Sequence, residues 1–391
     1  LILRSIFFQN TLRIILMLKN NFSSIESIIK AAKQGKMFIL VDDEKRENEG
    51  DLVISSSYAN TANINFMAKH GRGLICLAME NSQARKLNLS LMSPINQSRN
   101  KTAFAISIEA KKGITTGISA KDRARTIKVA SKKNASKRDI VSPGHIFPII
   151  AKEGGVLVRA GHTEASVDIS KLAKKNNSAV ICEIMKDDGT MARGKDLFIF
   201  AKKHNLRIAK IEDLISYRLK KEKLIKLKKN LEIKIQDQNF KLKIFENKIN
   251  GSEHLAFTKG QLGSKIVPKV RVISSNLLLE NILIGGKLPD TFNKTMKYFK
   301  KFKNCVLVFI NENNLSLNNV SFKSNKVVSK SKENKKEYLI KNYGIGAQIL
   351  KELKIRKMTL LTKTPKNVVG LDGFGIKILN QEIISWKKKS Y

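Results

Sequence analysis

Cysteine is scarce: Cys76, Cys182 and Cys305 stand far apart in a chain of 391 residues, with no CxxC or Cys–His spacing. That set suits neither a disulfide framework nor a structural zinc site, and it points to a reducing compartment. Aromatic residues are only 6% of the chain, which leaves little stacking surface for single-stranded nucleic acid. Long apolar runs are missing as well. The opening LILRSIFFQNTLRIILMLKN is apolar but broken by Arg4, Gln9, Asn10 and Arg13, too interrupted to span a bilayer. No small-residue cleavage site follows it. Residues 1–20 therefore read as an N-terminal extension with a natural start near Met17, and the expected compartment is the cytoplasm, with no membrane partner. Acid is scarce beside base: 33 Asp and Glu against 74 Lys and Arg give a net charge of +41. Lysine is spread over the whole chain, so the charge reads as compositional bias with incidental polyanion affinity, and no dedicated nucleic-acid partner is expected.

What is present divides into two parts. The length allows two domains with separate cores, and 42% hydrophobic residues with interspersed charge exclude wholesale disorder. Ile25, Ile28, Ile29 and Ala32 recur at helical spacing after Ser23 or Ser24 as N-cap. Helical and strand-like patterns then alternate irregularly to a helix at about 211–221, which predicts an α+β fold. Lys220–Asn230, KKEKLIKLKKN, carries a helical, lysine-rich pattern and reads as a connector.

The scarce acids concentrate in one place. Phe38–Val41 reads as a strand and Leu52–Ile54 begins another; between them lie Asp42, Asp43, Glu44, Glu47, Glu49 and Asp51, with Arg46 in their midst. So many carboxylates beside buried strands either form a solvated loop or hold a hard divalent cation. The flanking strands and the basic remainder of the chain favour the cation. Two of the five histidines, His145 and His162, fall in Gly-flanked PGH and AGHTE turns, poor places to bury a ring for packing. Val156–Val158 before the second of these reads as a strand. Glu183 in AVICEIM lies in an apolar strand pattern: it either faces solvent or is buried with its pKa raised into a range useful for acid–base work. Arg159, Gly161 and Thr163 offer a guanidinium fork, backbone amides and a hydroxyl in one turn, a set suited to phosphate. GITTGIS (Gly113–Ser119) is a second loop of that kind, and Cys76 reads as a plain buried thiol near the site.

DDEKRENEGD, HGRGLICLAM (His70–Met79), TAFAISIEA (Thr102–Ala110), GITTGISAKDRARTI, the run Ser142–Ala173 and AVICEIMKDDGTMAR (Ala179–Arg193) together resemble 3,4-dihydroxy-2-butanone-4-phosphate synthase, in family order across residues 21–218. The resemblance implies a riboflavin-pathway lyase. It would convert D-ribulose 5-phosphate to a four-carbon phosphate and formate by enolisation, dehydration, skeletal rearrangement and formate loss. It implies Glu47 and His162 as ligands of Mg²⁺, with two ions per site. Because imidazole is an unusual Mg²⁺ ligand, Mn²⁺ is an alternative. By the same resemblance His145 and Glu183 are essential for catalysis. Arg46, Glu47, Asp51, Glu183 and the turn Arg159, Ala160, Gly161, His162 and Thr163 bind substrate, and the protein is a homodimer.

After a linker at 219–230, residues 231–391 resemble a degenerate GTP cyclohydrolase II, a second α/β domain, through Phe240–Gly260 and Tyr343–Ile378. The family's three zinc-binding cysteines have no counterpart in Val270–Phe292, its substrate loop is replaced by INENNLSLNN, and its Asp and Arg fall on Leu339 and Lys341. The resemblance therefore implies no zinc and no GTP hydrolysis. The alternative is a bifunctional synthase and cyclohydrolase.

Overall fold

Ser24 caps the first described helix, α1 (Ile25–Lys33), accepting from the Ser27 amide at 3.3 Å, and the expected Ile25, Ile28, Ile29 and Ala32 are its buried face. The coordinates are a computed structural model that describes residues 22–44, 46–263, 265–275, 290–311, 320–323, 326–329, 335–363 and 371–384. The extension at 1–20 lies outside them, as do most of Val270–Phe292 and of INENNLSLNN. The chain divides into two compact units between Tyr217 and Arg218.

In the first unit β1 (Phe38–Val41) runs antiparallel to β2 (Gly50–Ser55), Val41 facing Gly50. Both strands are buried at every position, which is why their sequence is apolar apart from Gly50, Asp51 and Ser55. There follow α2 (Thr61–Phe66), β3 (Cys76–Glu80), α3 (Asn81–Lys86), β4 (Ile108–Ala110), α4 (Ala120–Ala130) and β5 (Ile140–Ala151). The unit ends with α5 (His162–Leu172), β6 (Ser178–Glu183), α6 (Lys195–Lys203), β7 (Arg207–Lys210) and the start of α7 (Ile211–Lys221), a helix at the expected position. The strands form one mixed sheet, β4-β5-β3-β6-β2-β1-β7, so the α+β expectation holds. Helix α5 packs across β1, β2, β3, β5 and β6 and is buried from His162 to Ser170. Its N-terminus is thereby fixed beside the acidic connection.

The second unit carries β8 (Ile225–Ile235), β9 (Gln238–Asn247), β10 (Glu253–Lys259), β11 (Lys269–Ser275), α8 (Asp290–Phe299) and β12 (Cys305–Asn311). A two-stranded ribbon, β13 (Val320–Lys323) with β14 (Lys326–Ser329), precedes α9 (Lys335–Glu352), β15 (Lys357–Thr362) and β16 (Lys377–Ile383). Its main sheet, β16-β15-β11-β12-β10-β9-β8, is parallel at one side and antiparallel at the other. Phe240, Phe257, Phe292, Met296, Phe299, Leu307 and Phe309 fill its core together with Cys305. The Tyr343–Ile378 block supplies the end of α9 and all of β15, and Ile349, Leu350, Ile355 and Met358 are buried there.

Two local expectations are corrected. Lys220–Asn230 is not a helical connector: it ends α7 and then forms the first half of β8, paired antiparallel with β9. Ile225, Leu227, Leu231, Ile233 and Ile235 alternate at the strand period, broken by an irregularity between Leu227 and Lys229 that blurs the pattern. An edge strand tolerates exposed lysines, which discourage pairing with other chains. Val156 is likewise not in a strand. Gly154 and Gly155 take φ of +88° and +63°, and Gly155–Leu157 is a 3₁₀ turn held by the Val156 amide on Asp168 Oδ2 at 2.9 Å.

Candidate active site

The turn between β1 and β2 gathers Asp42 and Glu47 around the Arg46 guanidinium. Arg46 Nη1 donates to Asp42 Oδ2 at 2.7 Å and also to Glu47. The Glu49 amide donates to Asp42 Oδ1 at 2.9 Å, closing the loop on a buried carboxylate. Asn100 donates its amide to the other Glu47 oxygen. Across this loop stands His162, the first residue of α5, entered from the extended Gly161. Its Nδ1 lies 4.0 Å from Glu47 Oε2 and 3.7 Å from Asp51 Oδ1, beyond hydrogen-bond reach, while Nε2 is buried with no hydrogen-bond partner. Asp42, Glu47 and His162 each bring a ligand atom within 4.8 Å of the others.

Electrostatics favour a cation there. Burial, and then the neighbouring carboxylates of Glu183, Glu47, Asp42 and Glu49, push the Asp51 carboxyl well above the ordinary range. Burial pushes His162 down toward the neutral imidazole that ligates metals. A buried imidazole with an unsatisfied nitrogen is costly, and a divalent ion bound by oxygen and imidazole would relieve it together with the carboxylate repulsion. The donor set therefore fits Mg²⁺ or Mn²⁺. Asp42 joins the two expected ligands. It was visible in the acidic run, but nothing in the sequence distinguished it from its neighbours.

Glu183 ends β6 directly opposite Asp51 on β2. It does not simply face solvent: its Oε2 accepts from the Leu74 amide at 2.8 Å. Gly73 makes room for it, since a Cβ there would stand 2.5 Å from that oxygen. Cys76 follows on β3 as a buried thiol, pushed up by burial and then by the charges of Glu183 and Asp51.

His145 is not in a turn but in the first half of β5, where Nδ1 meets Glu109 Oε1 at 2.7 Å. Proline and two small neighbours suggested a turn; β5 runs through them, but residues 142–145 are skipped by the β4 pairing, which passes from Glu109–Val141 to Ile108–Ile146. Cys76 aligns with Phe147 on β5 and Ile181 on β6. Among the described residues His145 makes no hydrogen bond or ion pair with the Asp42–Glu47–His162 cluster.

The Arg159 fork is engaged by protein: Nη1 donates to Glu164 Oε2 at 2.7 Å, and Nη2 to Asn100 O and Thr102 Oγ1, each at 3.1 Å. Sequence reasoning missed Glu164, although an acid in the first turn of a helix is a recognisable N-terminal signal. Ala160, Gly161 and Thr163 are buried around the start of α5, which has no side-chain cap. Its first amides are thus oriented donors for an anion. The GITTGIS loop is tied to its own helix instead, Thr115 and Gly117 donating to Asp122.

Known proteins resemble this chain in sequence and fold. The 3,4-dihydroxy-2-butanone 4-phosphate synthase family profile matches residues 26–217, and that of GTP cyclohydrolase II matches residues 225–383. The chain is 42% identical to Riboflavin biosynthesis protein RibBA of Aquifex aeolicus over 95% of its own length and 94% of that protein. It is 41% identical to a 3,4-dihydroxy-2-butanone 4-phosphate synthase of Photobacterium phosphoreum, over 91% of this chain and 98% of the other. A solved two-domain 3,4-dihydroxy-2-butanone 4-phosphate synthase from A. baumannii, RibBX, matches with a TM-score of 0.76 at 38% identity, covering 93% of this chain and all of the other. The chain belongs to the 3,4-dihydroxy-2-butanone 4-phosphate synthase family and carries a GTP cyclohydrolase II-like domain behind the synthase domain.

Proposed function

We infer that the chain serves riboflavin biosynthesis as a lyase, converting D-ribulose 5-phosphate to L-3,4-dihydroxy-2-butanone 4-phosphate and formate. The observation that carries this is the Asp42–Glu47–His162 cluster, with Glu183 and Asp51 paired at the same end of the sheet. Asp42, Glu47 and His162 would hold Mg²⁺ or Mn²⁺, and a second ion would share the same acidic turn. A bound divalent cation supplies stabilisation of negative charge developing on the sugar oxygens. Arg46 fixes Asp42 and Glu47 in place, Asn100 turns the second oxygen of Glu47, and Asp51 faces the same space. The α5 amides at His162 and Thr163 bind the phosphate, while Arg159 holds the 100–102 segment over it. Glu183, steadied by the Leu74 amide, takes and returns protons at its carboxylate, and His145 does so at its ring. Incubation with ribulose 5-phosphate and Mg²⁺ tests the reading: formate should be released, and its absence with correctly folded protein would end it.

The exposed position of His145 supports a homodimer in which one chain offers this ring to its partner's metal cluster, enclosing a small polar substrate. The cytoplasm fits a biosynthetic enzyme; among the described residues no helix is long and apolar enough to cross a membrane. We further propose that the second unit is inactive on GTP and binds no zinc. Cys305, its sole cysteine, is a core thiol pushed up to about 12 by burial and is no ligand. Leu339 and Lys341 fall on α9, but their side chains lie outside the described residues. One observation favours the bifunctional alternative: the cyclohydrolase profile matches nearly the whole unit.

A further inference from the structure

The proton-transfer role read for His145, on which this inference rests, leaves open which ring nitrogen works and what selects it. Nδ1 lies 2.7 Å from Glu109 Oε1. A carboxylate only accepts, so Nδ1 carries the hydrogen and Nε2 is the nitrogen left to receive a proton. The anchoring is asymmetric. The Glu109 side chain is 13% exposed while the ring is 42% exposed, so the carboxylate is seated in the sheet and the imidazole projects from it.

The backbone is shaped around this pair. The β4–β5 register breaks between Ile108 and Glu109: Ile108 faces Ile146, whereas Glu109 faces Val141. Such irregularities re-aim side chains. Two glycines then make the room. At Gly117, where φ is +88°, a Cβ would stand 1.7 Å from Glu109 Oε1. At Gly144, immediately before the histidine, a Cβ would stand 2.2 Å from the carbonyl carbon of Ile108 and 2.6 Å from the Glu109 amide. Gly117 cannot drift away, because its amide donates to Asp122 Oδ2 at 3.1 Å.

We propose that Glu109 is a positioning residue that holds His145 in its Nδ1–H tautomer and aims Nε2 at the substrate. In the forward step a substrate C–H or O–H bond breaks and Nε2–H forms; the same proton returns to a later oxyanion or carbanion. The Nδ1 hydrogen stays on Nδ1, and Glu109 does not change protonation.

Glu109→Gln tests this, since the amide can donate to Nδ1 and favour the opposite tautomer. Turnover of ribulose 5-phosphate should fall by at least about 10²-fold, with KM changed by less than about threefold, as expected when an interaction is lost only in the transition state. Glu109→Asp should restore part of the rate. Two-bond ¹H–¹⁵N correlation spectra of ¹⁵N-histidine enzyme, with the His145 signals identified by their loss in His145→Ala, should show hydrogen on Nδ1 in the wild type and on Nε2 in Glu109→Gln. An Nε2–H tautomer in the wild type overturns the proposal even if the variants fold poorly. Full turnover by Glu109→Gln while His145→Ala is inactive overturns it while leaving the role of His145 intact. Full turnover by His145→Ala removes that role, and the proposal with it.

Discussion

The two units bury their polar groups differently. Among the described residues every buried carboxylate, namely Asp42, Asp51, Asp122, Glu164 and Asp168, lies in the first unit, and the second buries none. Some of these acids are fully engaged: Asp122 by three donors of its loop, Glu164 by Arg159 and the Lys152 amide. Asp51 and His162 are not, and they share one place. The second unit instead buries neutral amides, as Gln348 on Leu219 O and Glu222 O and Gln238 on Met296 O, together with one guanidinium, Arg271, whose Nη1 donates to Leu361 O at 3.4 Å. Buried carboxylates crowded against one another are unfavourable, so their survival in the first unit alone marks where a cation would contribute the missing charge.

The sharpest way to break this contrast is to remove the charge. Glu47→Gln or His162→Ala should lower formate release by at least about 10³-fold, because preorganised stabilisation of developing charge is the largest single contribution to such catalysis. Circular dichroism should be unchanged. Chelation by EDTA should silence the wild type, and Mg²⁺ or Mn²⁺ should restore it. Near-normal rates from either variant would make the cluster a mere acidic turn.

Next comes the acid–base pair. His145→Ala and Glu183→Ala should each reduce turnover by at least about 10²-fold, while isothermal titration shows ribulose 5-phosphate binding largely retained. Because Glu47 and His162 come from one chain, mixing their two variants should restore nothing. Mixing His145→Ala with Glu47→Gln should recover activity if the ring serves a partner's site. Failure of that mixture, with heterodimers present, would assign each site to one chain.

The second unit should show no counterpart. Purified protein should hold no stoichiometric zinc and convert no GTP, since a catalytic zinc needs about three protein ligands and Cys305 is built into a core. Metal analysis giving one zinc per chain, together with a diaminopyrimidine product, would erase the difference between the units.

Much of the site was legible because its residues are chemically conspicuous. An acidic run between apolar strands, a glycine before His162 and a glutamate in an aliphatic strand each conflict with local pattern, and such conflicts collect at functional sites. Strands β1 and β2 followed from short apolar runs, and α1 and α7 from helical patterning. What stayed hidden depends on partners distant in sequence. Nothing near Glu109 announces His145, and Arg159 offers a free fork until Glu164 and Asn100 fold onto it. Strand β8 was misread because lysines fill an edge whose exposure only the sheet reveals, and Val156 because two left-handed glycines override a strand-forming sequence.

The smallest expected effect compares one buried histidine from each unit. His254 on β10 accepts from the Asn311 amide at Nδ1, 3.1 Å away, and Ser252 Oγ lies 3.3 Å from Nε2. Burial pushes its pKa down to about 4. The unfolded chain, with a histidine near 6.5, therefore takes up the proton first. Stability from this residue is complete above pH ~6.5 and is lost as pH falls toward 4, by at most about 3 kcal/mol. His162 is shifted in the same direction by burial, but the raised Asp51 carboxyl beside it takes up its proton first in the folded state and opposes that loss, so the second unit should weaken in acid more than the first. Among the described residues only the first has a candidate cation site, which would protect it further through preferential binding to the folded state. Hydrogen exchange followed from pH 7.5 to 5 should show β10 and β12 amides opening progressively, with Mg²⁺ slowing exchange in β2 and α5 but leaving β10 and β12 unaffected. His254→Gln should flatten the pH dependence of the second unit alone. Equal protection of both units by Mg²⁺ would place a divalent site in the second and undo the contrast.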